Sequence, residues 1–149
     1  MVGVDGSDAS KDALRWAARQ AEMTGASLQA VITWHLPIAA YGMAVPQLTG
    51  YDFAPAAEQT LEETIREVLG DHPGVKVSTV VLEGAPPPTL LKTAMGADLL
   101  VVGSRGHGEF AGMLLGSVAQ HCVGHAPCPV VVVRHSARPA GEPVGRGET

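Results

Sequence analysis

Short apolar segments alternate with amphipathic ones along most of this chain, and the alternation limits what it can fold into. Five segments rich in Val, Leu and Ile have strand length, and helix-like segments lie between them. Strands separated by helices pair in parallel, because a right-handed crossover returns the chain to the same edge of the sheet. We therefore predict an α/β fold of three layers, an open five-stranded parallel sheet between helices.

The predicted elements follow from apolar periodicity and from Gly and Pro punctuation. The predicted strands are 1–5, 28–34, 75–82, 98–103 and 129–134. The predicted helices are 9–23, a helix containing 61–69, 89–95 after a turn at 86–88, and 113–124. We expect one domain over 1–135, a disordered tail over 136–149, and a mobile flap or functional loop over 35–55.

Composition narrows the function classes. The chain is 46% hydrophobic and 17% charged, which is enough apolar material for a core, and its net charge of -5 argues against nucleic-acid binding. No apolar run approaches the roughly 20 residues of a membrane span, and the first residues do not read as a signal peptide. Two cysteines make no disulfide framework, so we expect a cytoplasmic protein.

The segment after the fourth predicted strand is rich in glycine. Glycines at 103, 106, 108, 112 and 116 let the backbone turn sharply and bring its N–H groups close to a ligand. Gly116 and Ser117 lie in or at the start of the next helix, whose N-terminus favours anions. This chemistry suits a polyphosphate, and a flexible turn without a ligand is the alternative interpretation.

Two better-known phosphate loops do not match. A Walker loop needs Lys and Ser or Thr after its second glycine, whereas Gly108 is followed by Glu109. The dinucleotide fingerprint should follow the first strand, and residues 3–6 do not fit it. The loop is therefore of another kind.

Three blocks of sequence, residues 2–7, 97–106 and 126–134, resemble the universal stress protein family in the same order. Gly103, Gly106, Gly116 and Ser117 are similar to its ATP-binding pattern, with two residues and then nine between the glycines. The resemblance implies a Rossmann-like fold of the adenine nucleotide α-hydrolase-like class. It also implies ATP between the ends of the first and fourth strands, and homodimers that pair through the last strand.

Carried over residue by residue, the resemblance implies a set of nucleotide-binding positions. Thr33 occupies the position against the adenine, where the family usually has a small apolar residue. The whole predicted set is Asp5, Gly6, Ser7, Thr33, Val102, Gly103, Arg105, Gly106, Gly116, Ser117 and Val118. We expect ATP or AMP as the ligand, and Asp5 with Ser117 could support Mg²⁺ beside the phosphates.

Several residues have a second interpretation. Asp5 contacts the nucleotide or caps the helix that follows, and we favour contact. Arg105 pairs with phosphate or is a solvated cation, and His107 is better read as a surface residue. Trp34 suits core packing or a loop anchor, and the aromatic residues of the long connection are candidates for a lid: Tyr41, Tyr51 and Phe53.

One tempting metal set lies near the end of the chain. His121 and His125 share a helix face, with Cys122 and Cys128 close by in sequence. We interpret the cysteines as buried thiols and predict no metal site.

No residues form a convincing catalytic set, so an enzymatic activity stays uncertain. We predict an ATP-binding regulator of the stress response. The alternatives are a weak ATPase or phosphate-transferring enzyme and a dimeric interaction module that binds no nucleotide.

Overall fold

The structure is a computed structural model that describes residues 1–36, 52–107 and 112–135. Within these ranges the chain alternates between strands and helices, and its strands are Val2–Gly3 (β1), Leu28–Trp34 (β2), Val77–Glu83 (β3), Leu100–Gly103 (β4) and Val130–Val133 (β5). Its helices are Asp8–Thr24 (α1), Ala54–Leu69 (α2), Pro86–Thr93 (α3) and Ser117–His125 (α4). Residues 37–51 of the predicted flap, with the lid candidates Tyr41 and Tyr51, and the predicted tail lie outside the described residues.

The strands form one parallel sheet in the order β3-β2-β1-β4-β5, as the α/β prediction requires. From β1 the chain builds outward through β2 to β3 and then returns to the other side of β1 with β4. The order therefore reverses between β1 and β4. In open α/β sheets this switch point, at the carboxyl ends of the strands, is where ligands bind.

The helices cover both faces of the sheet. Side chains alternate between faces along a strand, so Val101 packs with α1 and α2, whereas Leu100 and Val102 pack with α3 and α4. Each of the three is at most 3% exposed. The predicted three layers are confirmed, and β4 is buried on both sides as its apolar sequence indicates.

Helix α1 is defined by its sequence at both ends. The Ser7 side chain accepts a hydrogen bond from the Ser10 N–H at 3.3 Å, which satisfies one of the free donors of the first turn. Gly25 ends the helix at a φ of 72°, a conformation that glycine adopts without steric cost. Between them Ala13, Leu14 and Ala17 form the buried stripe.

Two predicted helix starts are wrong. Helix α3 begins at Pro86 rather than at 89, because proline lacks an N–H and is tolerated in the first turn, where no partner is needed. Helix α4 begins at Ser117 rather than at 113, with Gly116 as its N-cap. The Gly116 N–H donates to the Ser104 carbonyl at 2.6 Å, which ties this residue to the end of β4.

Strand β1 is shorter than the predicted 1–5, although the Val4 N–H still donates to the Val31 carbonyl at 2.8 Å. None of the helices in the described ranges has the length and apolar character that crossing a bilayer requires.

Candidate functional site

A cavity of about 120 Å³ opens at the carboxyl ends of β1 and β4, at the switch point of the sheet. We call it the apolar cavity, because most of its wall is hydrocarbon. Its lining residues are Gly3, Val4, Asp5, Ser10, Val31, Thr33, Pro86, Leu90, Val102, Gly103, Ser104, Arg105, Gly106, Gly116, Val118 and Ala119. Eight of the eleven predicted nucleotide-binding positions are among them.

The apolar wall of the cavity is formed by side chains of the sheet and of the two helices that cover one of its faces, α3 and α4. Val31 and Val102 come from the sheet, Leu90 from α3, and Val118 from the first turn of α4. The sequence analysis missed Leu90, along with Pro86 at the start of the same helix. The signal that could have found them is that α3 begins directly after β3, at the edge of the sheet where the strands end.

Thr33, the position that the resemblance assigned to the adenine, lines the apolar cavity. It stands two residues after Val31 on β2, so both side chains lie on the same face of the sheet. Within the described ranges no hydrogen bond satisfies its hydroxyl group. The Thr33 hydroxyl therefore adds one hydrogen-bond donor and acceptor to the mostly hydrocarbon wall of the apolar cavity.

Asp5, at the end of β1, is held by the turn that follows it. Its Oδ1 accepts hydrogen bonds from the Ser7 N–H at 2.9 Å and from the Ser7 hydroxyl. Ser7 rather than Asp5 is the N-cap of α1, so the capping interpretation of Asp5 is wrong. The carboxylate is instead fixed at the rim of the cavity.

The loop after β4 reaches this carboxylate. A Cβ placed on Gly106 would lie 2.7 Å from Asp5 Oδ2, and His107 Nε2 lies 2.8 Å from the Asp5 backbone carbonyl. The expectation that the ends of β1 and β4 meet is therefore confirmed. His107 is exposed, as expected, but it also connects the two turns.

Gly103 is required for a different reason. A Cβ there would lie 2.8 Å from the carbonyl carbon of Ala9 and 2.9 Å from its oxygen, so the glycine lets α1 pack directly on β4. The sequence alone predicts Gly103 only as a place where a ligand comes close to the backbone. In the structure this glycine also allows the close packing of α1 on β4.

The backbone amides of the loop are only partly free. No group in the described part of the chain accepts from the N–H of Arg105, Gly106 or His107. The N–H of Gly116 is already bonded to Ser104, so the cradle predicted over 103–117 does not include that donor. Ser117 is exposed and is not among the residues lining the cavity.

A second, more polar cleft of about 580 Å³ adjoins the cavity. We call it the polar cleft. It shares Ser104, Arg105 and Gly106 with the apolar cavity, and the predicted positions Gly6 and Ser7 line it. Its remaining lining residues are Asp8, Ala9, His107, Leu114, Arg134 and His135. Arg134 and His135 are not among the predicted site residues, because Arg134 ends the family-like block 126–134 without a role of its own and His135 follows that block.

The candidate metal set does not come together. His121 Nδ1 lies 2.9 Å from the Ser117 carbonyl and His125 Nδ1 lies 3.1 Å from the His121 carbonyl, so one nitrogen of each ring contacts the helix backbone. Cys122 is buried as predicted, whereas Cys128 is only half-buried, so the buried-thiol interpretation is wrong for Cys128. Burial, with a smaller contribution from Cys128, raises the pKa of the Cys122 thiol. Across the described ranges no three His, Cys, Asp or Glu residues are grouped to hold a metal ion.

The aromatic residues near the long connection form one contact. The rings of Trp34 and Phe53 are tilted with centroids 6.3 Å apart, and Trp34 packs against the core on the α1 and α2 side. Trp34 therefore joins the end of β2 to the start of α2, as expected for a loop anchor. Phe53 precedes α2 directly and is not among the residues lining the apolar cavity.

The chain is also similar to known proteins. The model of the universal stress protein family matches residues 1–134. Universal stress protein Rv2005c of Mycobacterium tuberculosis is 38% identical over 140 residues, which cover 91% of this chain and 45% of the relative. The chain thus spans about half the length of the curated relatives it matches.

Solved structures of universal stress proteins are also similar to this chain. Universal stress protein UspA from Lactobacillus plantarum is 26% identical with a TM-score of 0.69, covering 89% of this chain and 96% of the other. A universal stress protein solved in complex with cAMP is 27% identical with a TM-score of 0.57, covering 89% and 93%.

Proposed function

The chain belongs to the universal stress protein family, and from this we propose that it binds ATP at the switch point of its sheet and acts as a nucleotide-dependent regulator in the stress response. One observation carries the proposal. The apolar cavity and the polar cleft meet at Ser104, Arg105 and Gly106, which gives one hydrocarbon compartment and one polar compartment side by side. A nucleotide has the same division between its base and its phosphates.

The apolar cavity suits the base. Val31, Leu90 and Val102 offer hydrocarbon surface to a flat ring, and Thr33 offers a hydroxyl group without a partner in the described ranges. Ligand sites are commonly mainly apolar with a few polar groups that fix orientation. The related protein solved with cAMP supports an adenine nucleotide in this fold.

The loop after β4 suits the phosphates. The free N–H groups of Arg105 and Gly106 and the first turn of α4 offer donors to phosphate oxygens. If Mg²⁺ accompanies ATP, Asp5 is the residue that would hold it, because carboxylates are preferred ligands and the Oδ2 of Asp5 lies against Gly106. Ser117, exposed at the start of α4, is a weaker candidate.

The last strand suits dimer formation. β5 is at the edge of the sheet and consists of four half-buried valines, so its outer edge can pair with the same strand of a second copy. β5 is also bonded to the loop, because the Ser104 N–H donates to the Val133 carbonyl at 2.8 Å. Occupancy of the site can therefore alter the surface on which partners assemble.

We assign this function to a domain over residues 1–135 and expect it to work in the cytoplasm. Cys122 and Cys128 are free thiols, the state that a reducing compartment maintains.

Thermal melting with ATP, AMP and buffer alone tests the proposal. A ligand at a hundred times its dissociation constant stabilises the folded form by about 2.7 kcal/mol, which raises the melting temperature by roughly 5–10 °C. In Gly106→Val the new side chain displaces the Asp5 carboxylate and fills the rim of the cavity, so the shift should be lost.

Gly124→Val is the matched control. A Cβ at Gly124 meets no atom within 4 Å, so this variant should melt and respond to ATP like the natural protein. An equal ATP shift in Gly106→Val and the natural protein would move the site elsewhere. No shift in any of the three proteins would leave the dimeric module without nucleotide as the better description.

A further inference from the structure

The polar cleft contains an arginine that no part of the proposed function yet uses. Arg134 follows β5 directly, is exposed and lines the cleft together with Arg105 of the loop. None of the four ion pairs in the described ranges includes either arginine. Two cations that face one cleft without carboxylate partners are available for an anionic ligand.

Resting on the proposed function, we infer that Arg134 and Arg105 select nucleotides by phosphate number and favour ATP over AMP. The apolar cavity holds the base whatever the phosphate count. Arg134 lines only the neighbouring polar cleft and so contacts only phosphates beyond the first, whereas Arg105 lines both compartments. Arg134 is thus a specificity-determining residue at this site.

The position of Arg134 is fixed on both sides. Before it, the Val133 carbonyl accepts from the Ser104 N–H at 2.8 Å. After it, His135 Nδ1 lies 2.6 Å from Asp12 Oδ2 on α1, and Asp12 also pairs with Arg15. The backbone on either side of Arg134 is therefore held, so no backbone ordering is needed when its side chain binds a phosphate.

A hydroxyl group points to the same ligand. Ser104 is only 5% exposed and lines both the apolar cavity and the polar cleft. Both of its backbone groups are bonded, but within the described ranges its side chain has no hydrogen-bond partner. The hydroxyl oxygen itself is not sealed in the core, so it is open to a ligand from these compartments. It gains a hydrogen-bond partner when a ligand oxygen passes between the two compartments.

The charges around the cleft allow an anion. Asp8 is the acidic residue that lines the cleft itself, and Asp5 lines the neighbouring cavity. Asp5 already accepts two hydrogen bonds from Ser7, which offset part of its charge. The two arginines outweigh the single carboxylate of Asp8.

Affinities of the full chain for ATP, ADP and AMP, measured by calorimetry, test the inference. We expect the natural protein to bind ATP at least tenfold more tightly than AMP. Arg134→Gln should weaken ATP binding by about tenfold, the scale of one charge-assisted contact, and leave AMP binding within twofold. Arg19→Gln removes the same charge from an exposed position of α1 outside both compartments and should bind like the natural protein.

The outcomes separate this inference from the proposed function. Equal binding of ATP and AMP by the natural protein, or a preference for ATP that survives in Arg134→Gln, overturns the role of Arg134 while nucleotide binding stands. If Arg134→Gln and Arg19→Gln weaken ATP binding equally, the effect comes from net charge, and the role of Arg134 is overturned. If no nucleotide binds to any variant, the proposed function fails and this inference fails with it.

Discussion

The sheet face covered by α1 and α2 is filled by long helices, whereas short helices on the opposite face leave room for the apolar cavity. Helices α1 and α2 have 17 and 16 residues, and α3 and α4 have 8 and 9. On the first face the buried Leu14 and Leu61 and a series of alanines pack against the strands. On the second, Leu90 and Val118 line the cavity.

The difference separates two tasks. A binding site needs space that a well-packed core does not leave, and empty space costs stability because the atoms around it lose dispersion contacts. Placing the space against the short helices lets the long ones hold the sheet together. We therefore expect substitutions on the two faces to have different consequences.

Core leucines give the largest expected effect. Leu61→Ala, on α2, should lower the free energy of unfolding by about 2–5 kcal/mol, because this side chain is fully buried. Leu90→Ala, on α3, should cost less and should also weaken nucleotide binding, since Leu90 already borders the cavity. Urea denaturation measures both losses. Equal losses would mean that the two faces are equally well packed.

Two glycines of the loop give the next effect. In Gly103→Ala the methyl group meets the backbone of Ala9, and we expect a loss of about 1–3 kcal/mol as α1 is pushed from β4. In Gly106→Ala the methyl group meets Oδ2 of the Asp5 side chain rather than backbone, so the loss of stability should be smaller than in Gly103→Ala. Denaturation curves of the two variants check this. A larger loss at Gly106 would contradict the division between packing and site.

The two thiols on the α3 and α4 side give the smallest effect. Burial raises the pKa of Cys122, and the thiolate is the reactive form, so iodoacetamide should modify Cys128 first at mildly alkaline pH. The rate at Cys122 should rise as the pH approaches its raised pKa. Peptide mass spectrometry over a pH series follows both, with Cys128→Ser as the control. Earlier modification of Cys122 would mean that α4 is not packed tightly on the sheet.

Much of the fold could be predicted because each strand is marked locally. The bounds of β2 agree with the prediction, since an apolar run ends at Trp34 and is preceded by a helix stop at Gly25. The meeting of Asp5 with the loop after β4 also followed, because the carboxyl ends of neighbouring parallel strands share one edge.

The rest depends on contacts that sequence does not encode locally. The sequence of residues 113–115 favours a helix, but the hydrogen bond from the Gly116 N–H to the Ser104 carbonyl sets the start of α4 at Ser117. Arg134 enters the site because β5 is next to β4, and a single arginine after a strand gives no motif. The role of Gly103 against Ala9 needed the position of α1 on the sheet.

The bond between Gly116 and Ser104 has a consequence for how this family of loops can vary. It closes the segment between them into a ring whose two ends stay fixed whatever lies between. Because the entropy of closing a ring rises only slowly with its length, residues can be added or removed inside it at a small cost in stability. The loop can thus diversify while the end of β4 and the start of α4 keep their distance.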